Sequence, residues 1–282
     1  MEKVGYLGPD NVTFGFMTAE RYFLESKMEF VPFENHYKIC EAVGKGNVEY
    51  GVVAIENVID GVVAETIHAV EHIFRKHGLC IFAETELPIK LFYFQMADAN
   101  IKPTKVLSHL TALRQCQKFI SSLQGQGLTV EVRNSTGQAA KEASNDPMIS
   151  VIASEKAETI YNLKRLVADS VADQEHNFTR FWILSKKQNV KTGHDKTCIL
   201  INLEQQESGG FCRALECFAK KQVNLLTVCP NPIPGRKWEY TFVLEFAGHI
   251  LDENVDSAYE ALSDSGVCVG GPLLLGSYPV ST

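Results

Sequence analysis

The stretch Asn177-Phe178-Thr179-Arg180-Phe181 runs directly into the apolar segment Phe181-Trp182-Ile183-Leu184, and together they predict a loop that enters a buried strand. The stretch follows Ser154–Tyr161, a segment with a helical pattern. An amide, a hydroxyl and a guanidinium are therefore predicted to lie together at the point of entry. Groups of this kind in that position are typical of proteins that bind a small anion in a cleft.

On either side of this stretch, from Val4 to about Ser185, short apolar runs alternate with amphipathic segments. The predicted strands are Val4–Leu7, Tyr50–Ile55, Leu79–Glu84, Ile89–Phe94, Val106–Ser108, Leu128–Val132, Ile149–Ala153 and Phe181–Leu184. The predicted helices are Phe14–Ser26, Tyr37–Val43, Val62–His77, Leu110–Leu123, Gln138–Ser144 and Glu155–Tyr161. This alternation predicts an α/β architecture with a mainly parallel sheet, or two such sheets. Its length predicts two lobes with a cleft between them.

The pattern changes after Lys186–Lys196, a polar segment that we interpret as a solvated linker because it lacks interleaved aromatic residues. Beyond the linker, predicted elements follow the order βαββαβ of the ferredoxin-like fold. They are a strand at Thr197–Leu203, a helix with Phe211, Ala214, Leu215 and Phe218 on one face, strands at Leu225–Val228 and Tyr240–Phe246, a helix at Val255–Leu262 and a strand at Val267–Leu275. We therefore predict a two-lobed region at residues 1–186, a linker at 187–195 and a separate module at 196–282.

The composition is that of a soluble globular protein, with 282 residues, 45% apolar and 22% charged. A net charge of -7 with no basic stripe makes nucleic acid an unexpected partner. Met1-Glu2-Lys3 leads directly into a predicted strand, and no apolar run is long enough for a membrane span, so we expect neither a signal peptide nor a membrane partner. The eight cysteines contain no C-x-x-C pair and indicate reduced thiols in the cytoplasm.

Further polar groups lie at the ends of predicted strands or at the starts of predicted helices. Glu56-Asn57 ends a buried strand and precedes the turn Asp60-Gly61, where the residues either face a ligand or form a solvated rim. Thr13 follows Gly8-Pro9, and Ser108-His109 lies near Gln115-Cys116. Ser135 and Gln138 have capping-box spacing, which leaves Thr136 to face a ligand.

A metal site is not expected, although His68 and His72 are four residues apart on a predicted helix and His77 follows. The spacing offers no third ligand, and Glu71 is misplaced for an H-E-x-x-H motif. The sequence also has no glycine-rich phosphate-binding loop. We therefore expect no cofactor.

Taken together, these segments resemble prephenate dehydratase over nearly the whole chain. The resemblance is carried by Tyr6-Leu7-Gly8-Pro9, Ala54-Ile55-Glu56-Asn57, Ser108-His109 with Ala112-Leu113-x-Gln115-Cys116, Ser135-Thr136-x-Gln138-Ala139-Ala140, Ile152-Ala153-Ser154 and Asn177-x-Thr179-Arg180-Phe181. It implies a two-lobed catalytic region like periplasmic binding proteins. It also implies decarboxylative dehydration of prephenate to phenylpyruvate, water and CO₂ in L-phenylalanine biosynthesis.

The C-terminal module resembles the ACT domain of this family, which implies a phenylalanine sensor and a homodimer or homotetramer. The effector-binding residues that the resemblance implies are Gly209, Gly210, Phe211, Asn224, Leu225 and Cys229. The family's E-S-R-P appears here as Cys229-Pro230-Asn231-Pro232, which removes a charge pair from the effector loop and leaves the response to phenylalanine open.

Other family motifs also differ in this chain. G-T-F-S appears as Val12-Thr13-Phe14-Gly15, one residue later than usual, and E-N-S as Glu56-Asn57-Val58. S-H-P-Q appears as Ser108-His109-Leu110-Thr111, and G-A-L-V/Y as Gly209-Gly210-Phe211-Cys212. We expect catalysis to survive these changes.

Each site residue has an expected role in this reaction. Arg180 is expected to bind one substrate carboxylate, Thr179 to donate a hydrogen bond to the departing hydroxyl, and Glu56 to supply the proton if burial raises its pKa. Substrate orientation is expected from Asn57, Asn177 and Thr136, further substrate contacts from Thr13 and Ser108, and exclusion of water from Phe178 and Phe181.

Two alternatives remain open from the sequence. Arogenate differs from prephenate only by an amino group on the side chain, so an arogenate dehydratase fits the same residues. A non-catalytic amino-acid sensor built from a two-lobed binding fold and an ACT module belongs to a different class. The retention of Glu56, Asn57, Thr179 and Arg180 favours an enzyme.

Overall fold

A computed structural model describes residues 1–203 and 208–281. The predicted module at 196–282 therefore includes five residues, at 204–207 and 282, that lie outside the described ranges. The strands are β1 (Glu2–Leu7), β2 (Met28–Phe33), β3 (Tyr50–Asn57), β4 (Gly61–Val62), β5 (Cys80–Pro88), β6 (Phe92–Met96), β7 (Lys105–His109), β8 (Thr129–Arg133), β9 (Ile149–Ala153), β10 (Leu163–Arg165), β11 (Phe178–Ser185), β12 (Asp195–Asn202), β13 (Leu225–Pro232), β14 (Tyr240–Ala247) and β15 (Leu273–Pro279). The helices are α1 (Phe14–Tyr22), α2 (His36–Lys45), α3 (Ala64–His77), α4 (Leu110–Arg114), α5 (Gln117–Gly125), α6 (Thr136–Ala143), α7 (Lys156–Ile160), α8 (Gly210–Lys220) and α9 (Glu253–Asp264).

The chain forms two compact units. Unit 1 comprises residues 1–35, 56–61 and 86–180, and unit 2 comprises residues 36–55, 62–85 and 181–282. The domain boundaries expected at 186/187 and 195/196 remain predictions. Both units contain sheets and helices, which confirms the α/β class.

Unit 1 contains a five-stranded sheet in the order β10-β6-β9-β7-β8. Strand β7 is parallel to β8 and β9, whereas β6 is antiparallel to β9 and β10, so the sheet is mixed rather than mainly parallel. Because side chains alternate along a strand, Val106 and Leu107 of β7 enter different cores. One core packs α4 and α5 against the sheet, and the other packs the alanines of α6 and α7.

Strand β2, which the sequence did not predict, lies at the end of its sheet and is parallel to β1. Pro32 obscured it, since proline is disfavoured inside strands. The carbonyl of Phe33 accepts a hydrogen bond from the amide of Gly8. Successive backbone groups point to opposite sides of a strand, so Pro32 directs its missing N–H away from β1.

In unit 2, strands β3, β11 and β5 are neighbours in that order. Val52, Val53, Trp182, Ile183 and Leu184 are fully buried there. The apolar run after Arg180 therefore forms a buried strand, as the sequence predicts. Helices α2 and α3 pack against each other in the same unit.

The C-terminal part of unit 2 is an antiparallel sheet in the order β13-β14-β12-β15, with α8 and α9. Element order and strand order are those of the ferredoxin-like fold, which confirms the predicted topology. Ala214 and Phe218 of α8 are fully buried in its core. The strand predicted at Val267–Leu275 is wrong in its bounds, because Gly270 and Gly271 have positive φ and β15 begins at Leu273.

The helix predicted at Leu110–Leu123 is instead two helices that break at Gln115-Cys116. The second helix begins where the carboxylate of Asp173 accepts hydrogen bonds from the backbone amides of Gln117 (2.8 Å) and Lys118 (3.1 Å). A carboxylate satisfies the unpaired amides of a first helical turn, so Asp173 favours a new start there. The break brings Gln115 into the candidate site.

Within residues 1–203 and 208–281, no helix combines the length and apolar character needed to cross a bilayer. All eight cysteines lie in these ranges, and they form no disulfide.

Candidate active site

The candidate site lies where the carboxyl end of β3 meets the amino end of β11. The amide of Val58 donates a hydrogen bond to the carbonyl of Phe178 (3.1 Å), which joins the two strand ends. Because side chains alternate along each strand, Thr179 and Arg180 leave β11 on opposite faces. The predicted cluster is therefore two adjoining pairs, each with a partner on β3.

The first pair is ionic. Arg180 Nη2 lies 2.9 Å from Glu56 Oε2, and the side chains are 17% and 42% exposed, respectively. The condition set for Glu56 as an acid, namely burial, is not met. Its carboxylate orients the guanidinium of Arg180, and the binding of an anion by Arg180 stays a prediction.

The second pair is neutral and buried. Asn57 Nδ2 carries two hydrogens and shares them among three acceptors, Thr179 Oγ1 (2.9 Å), Asn177 Oδ1 (2.8 Å) and the carbonyl of Phe178 (3.0 Å). Asn57 and Thr179 are 8% and 9% exposed. An amide nitrogen can only donate, so Thr179 Oγ1 is the acceptor in this contact. The hydroxyl proton of Thr179 is therefore directed to a different partner.

Gln115 and Asp60, to which the sequence assigned no role, extend the neutral pair. Asn177 Nδ2 donates to Gln115 Oε1 (2.9 Å), and Gln115 Nε2 donates to Asp60 Oδ2 (2.6 Å). Asn57 Oδ1 in turn accepts from the backbone amides of Ile59 (2.9 Å) and Asp60 (3.0 Å). The broken helix at Gln115 is the structural feature behind this network, but side-chain contacts over such sequence separations leave no periodic signal.

Two of the predicted substrate contacts use their side chains in other ways. The hydroxyl of Thr13 donates to the carbonyl of Leu7 (2.8 Å) and caps α1 through the amide of Phe16 (3.2 Å). Ser108 is fully buried, and its hydroxyl donates to the carbonyl of Ile152 (2.6 Å). The geometry gives no support to a substrate contact by either residue.

Ser135 caps α6 as predicted, because its Oγ accepts from the amide of Gln138 (2.9 Å). The reciprocal half of a capping box is not formed, since Gln138 Nε2 donates to Glu142 instead (3.1 Å). Thr136 is half-buried at the first position of α6, and its role toward a ligand stays a prediction.

The two aromatic residues of the motif differ in burial. Phe181 is 3% exposed and belongs to the strand core, whereas Phe178 is 37% exposed at the strand end. Phe178 is therefore the more accessible of the two, and its role in covering a ligand stays a prediction. Phe181 anchors the strand beneath it.

A cavity of about 280 Å³ lies elsewhere in unit 1. It is lined by Phe14, Met17, Glu20, Arg21, Leu87, Pro88, Lys90, Glu155 and Lys156. Lys156 lies 2.6 Å from Glu20, so one of the cations of this cavity already has a carboxylate. None of the predicted site residues lines this cavity, and we do not place the reaction there.

The histidines considered as metal ligands have other contacts. His68 Nε2 lies 3.0 Å from the carbonyl of Pro232, and the ring of His72 lies 5.9 Å from that of Tyr37. Across residues 1–203 and 208–281, no three histidine, cysteine or acidic residues form a group suited to a metal ion.

In unit 1, partial burial lowers the pKa of His109, whose Nδ1 accepts from the amide of Thr111.

The residues implied as effector contacts lie around the start of α8 and along β13. Gly209 has a φ of +78° and precedes the buried Gly210, a geometry that favours glycine. Phe211 packs against Phe242 with ring centroids 5.0 Å apart. Asn224 is exposed, while Leu225 and Cys229 are half-buried.

Comparisons with known proteins show which family this chain is similar to. The family model described as prephenate dehydratase matches residues 4–189. The bifunctional chorismate mutase/prephenate dehydratase of Aquifex aeolicus is 34% identical, over 98% of this chain and 73% of that protein. The prephenate dehydratase of Bacillus subtilis is 31% identical over 98% of each chain.

A solved structure of prephenate dehydratase from Arthrobacter aurescens in complex with L-Phe has the same fold. Its TM-score is 0.83 at 23% identity, covering 99% of this chain and 90% of that one. At this identity the likeness shows the fold alone.

Proposed function

Because the chain belongs to the prephenate dehydratase family, we propose that Thr179 and Arg180, supported by Asn57 and Glu56, carry out its reaction. That reaction is the decarboxylative dehydration of prephenate in phenylalanine biosynthesis. The observation that carries the assignment is the hydrogen bond from Asn57 Nδ2 to Thr179 Oγ1 at 2.9 Å.

In the proposed mechanism Thr179 assists the leaving group. Asn57 occupies a lone pair of the threonine oxygen, so the hydroxyl hydrogen is directed toward the ring hydroxyl of prephenate. A hydrogen bond that strengthens as the C–O bond breaks lowers the barrier rather than only the substrate affinity. Thr179 keeps its proton, because an alcohol is too weak an acid to release it at neutral pH.

The bond changes balance with one proton taken up. The carboxylate on the quaternary carbon leaves as CO₂, and its electron pair moves through the ring to expel the hydroxyl from the opposite carbon. The expelled oxygen takes a proton and leaves as water. The dianionic substrate and one proton thus give monoanionic phenylpyruvate, CO₂ and water.

We propose that Arg180 binds the pyruvyl carboxylate and that Glu56, although its side chain is half-exposed, supplies the proton. The ion pair of 2.9 Å supports the orientation of Arg180.

The Glu56→Gln variant tests the proton source. We expect a lower kcat and loss of the alkaline-side fall of the pH profile, because a general acid acts in its protonated form and contributes about 10²–10⁴ in rate. Asp146→Asn, which changes a carboxylate remote from the network, is the matched control. Wild-type turnover with an unchanged alkaline limb in Glu56→Gln shows that the proton has another source.

The substrate is tested by incubating the purified protein with prephenate and following phenylpyruvate by its ultraviolet absorbance in alkali. We expect turnover of prephenate. Faster turnover of arogenate assigns the protein to that substrate instead. Binding of either compound without turnover supports the non-catalytic sensor.

We also propose that the C-terminal module binds L-phenylalanine in a cytoplasmic homo-oligomer. The ferredoxin-like topology and the L-Phe complex of the Arthrobacter aurescens protein support this proposal. The test is the melting temperature with L-phenylalanine, with D-phenylalanine as the control, together with the mass in solution. An unchanged melting temperature at saturating ligand contradicts the effector, and a monomer contradicts the assembly.

A further inference from the structure

The neutral network at the site closes into a ring that begins and ends at Asp60. The backbone amide of Asp60 donates to Asn57 Oδ1 (3.0 Å), and Asn57 Nδ2 donates to Asn177 Oδ1 (2.8 Å). Asn177 Nδ2 donates to Gln115 Oε1 (2.9 Å), and Gln115 Nε2 donates to the Asp60 carboxylate (2.6 Å). Each side-chain amide thus donates to one neighbour in the ring and accepts from the other.

The direction of this ring is fixed at both ends. A backbone amide can only donate and an ionised carboxylate can only accept, so neither end can reverse its role. Between them lie three carboxamides, which could otherwise be rotated to exchange oxygen and nitrogen. Gln115, Asn177 and Asn57 are 7%, 1% and 8% exposed. Water therefore has little access to form the hydrogen bonds that a rotated carboxamide would lose.

One branch leaves the ring and reaches the proposed catalytic hydroxyl. Asn57 Nδ2 also donates to Thr179 Oγ1 (2.9 Å), and only this orientation of the amide leaves the threonine hydrogen for substrate. We therefore infer that Asp60 is a positioning residue: its carboxylate sets the donor direction of Gln115 and Asn177, and its backbone amide, with that of Ile59, sets the direction of Asn57. Together these contacts direct the Thr179 hydroxyl. This inference rests on the proposed role of Thr179.

Exchanging donor and acceptor at one link tests the inference. Gln115→Glu places a carboxylate against Asp60 and removes the donor, and we expect kcat to fall about 10²-fold, as for a misplaced catalytic group, with KM nearly unchanged. Asp60→Asn restores a donor opposite this new carboxylate, whose other oxygen still accepts from Asn177. The Asp60→Asn/Gln115→Glu double variant should therefore recover to within about tenfold of wild type, the value of a single hydrogen bond.

A pH profile separates this role from a merely structural one. In Gln115→Glu alone, protonation of either carboxyl restores a donor at the link, so the ratio of its kcat to the wild-type kcat should rise toward acid. Gln117→Glu is the matched control, because Gln117 Nε2 donates to the carbonyl of Leu113 outside the ring (2.8 Å). It should keep the wild-type kcat and pH profile.

Two results would overturn the inference. One is a double variant, folded by circular dichroism, that is no more active than Gln115→Glu. The other is a Gln115→Glu enzyme with wild-type kcat. If the wild-type protein turns over neither prephenate nor arogenate, the proposed function fails separately. The ring is then judged by urea unfolding, in which the double variant must be more stable than Gln115→Glu.

Discussion

The two units each bury a polar network, but one is neutral and the other is ionic. In unit 1, Asn57, Gln115 and Asn177 form a ring of amides that directs the hydroxyl of Thr179. In unit 2, Lys196 Nζ lies 2.7 Å from Glu84 Oε1 and 3.3 Å from Glu245 Oε2, and all three side chains are at most 8% exposed. The neutral network fixes a direction, whereas the ionic one joins β5 to β12 and β14.

This difference matters because the two networks respond to different perturbations. A carboxamide has no charge to lose over the working pH range, so it keeps its donor and its acceptor. A buried ion pair depends on every charge being present, and removal of one partner leaves an uncompensated charge. The reaction therefore depends on geometry in unit 1, and the stability of unit 2 depends on charge.

The largest expected effect is on the hydroxyl that the neutral ring directs. Thr179→Val should lower kcat about 10²–10⁴-fold, since it removes the donor to the leaving group. Thr179→Ser keeps the hydroxyl and should retain part of the activity. Steady-state kinetics on prephenate measure both, with melting temperature as the control for folding. Equal activity of the two variants means that the hydroxyl is a spectator.

The ionic network should instead respond in stability. Lys196→Met should lower the free energy of unfolding by about 3–5 kcal/mol, because Glu84 and Glu245 stay buried without their cation. Lys220→Met removes an exposed partner of Glu216 and should cost at most about 1 kcal/mol. Urea unfolding compares them. If Lys196→Met lowers the free energy of unfolding no more than Lys220→Met does, the buried ionic network does not stabilise unit 2 as proposed.

A buried histidine makes unit 2 sensitive to pH as well. Burial lowers the pKa of His36 to about 4 from 6.5, so between these values the unfolded chain binds the proton and the folded chain does not. Stability is therefore present above pH 6.5 and is lost as pH falls toward 4, by about 3 kcal/mol at 1.36 kcal/mol per unit. His36→Asn should remove this dependence, measured by urea unfolding at pH 7 and 4.5. A loss as steep as in the wild type contradicts the assignment.

The smallest expected effect concerns a single neutral bond in unit 1. Ser135→Ala removes the cap of α6 and should cost about 1 kcal/mol of unfolding free energy. Ser135→Asp keeps an acceptor for the amide of Gln138 and should cost less. Thermal unfolding ranks the two. A larger loss for Ser135→Asp shows that the cap is not what this side chain contributes.

The polar residues at the strand ends are easier to predict from the sequence than the side-chain contacts that connect them. Glu56 and Asn57 were predicted beside Arg180 and Thr179, and they are found there because the carboxyl end of a buried strand is a recognisable position. The separation into two pairs follows from strand alternation, which the motif alone does not reveal. The contacts of Gln115 with Asp60 and Asn177 arise from tertiary packing and leave no pattern in the chain.

The same limits apply to the fold. The βαββαβ order was predictable because its helices carry clear apolar faces, as at Ala214 and Phe218. The start of the last strand was predicted too early because an apolar run has the same sequence pattern in a turn and in a strand. The turn is identified by the positive φ of Gly270 and Gly271, which the sequence does not give. The break at Gln115 depends on a distant carboxylate, Asp173, so local propensity could not predict it.

The proline of β2 also has a consequence for the behaviour of the protein in concentrated solution. An exposed sheet edge offers unpaired amides and carbonyls to any extended chain that meets it, which makes it a starting point for aggregation. Pro32 lacks the backbone N–H that would point outward from this edge. One carbonyl of an incoming strand would therefore have no hydrogen-bond donor. Pro32, which made β2 difficult to predict from the sequence, thus protects the sheet from pairing with further strands at this edge.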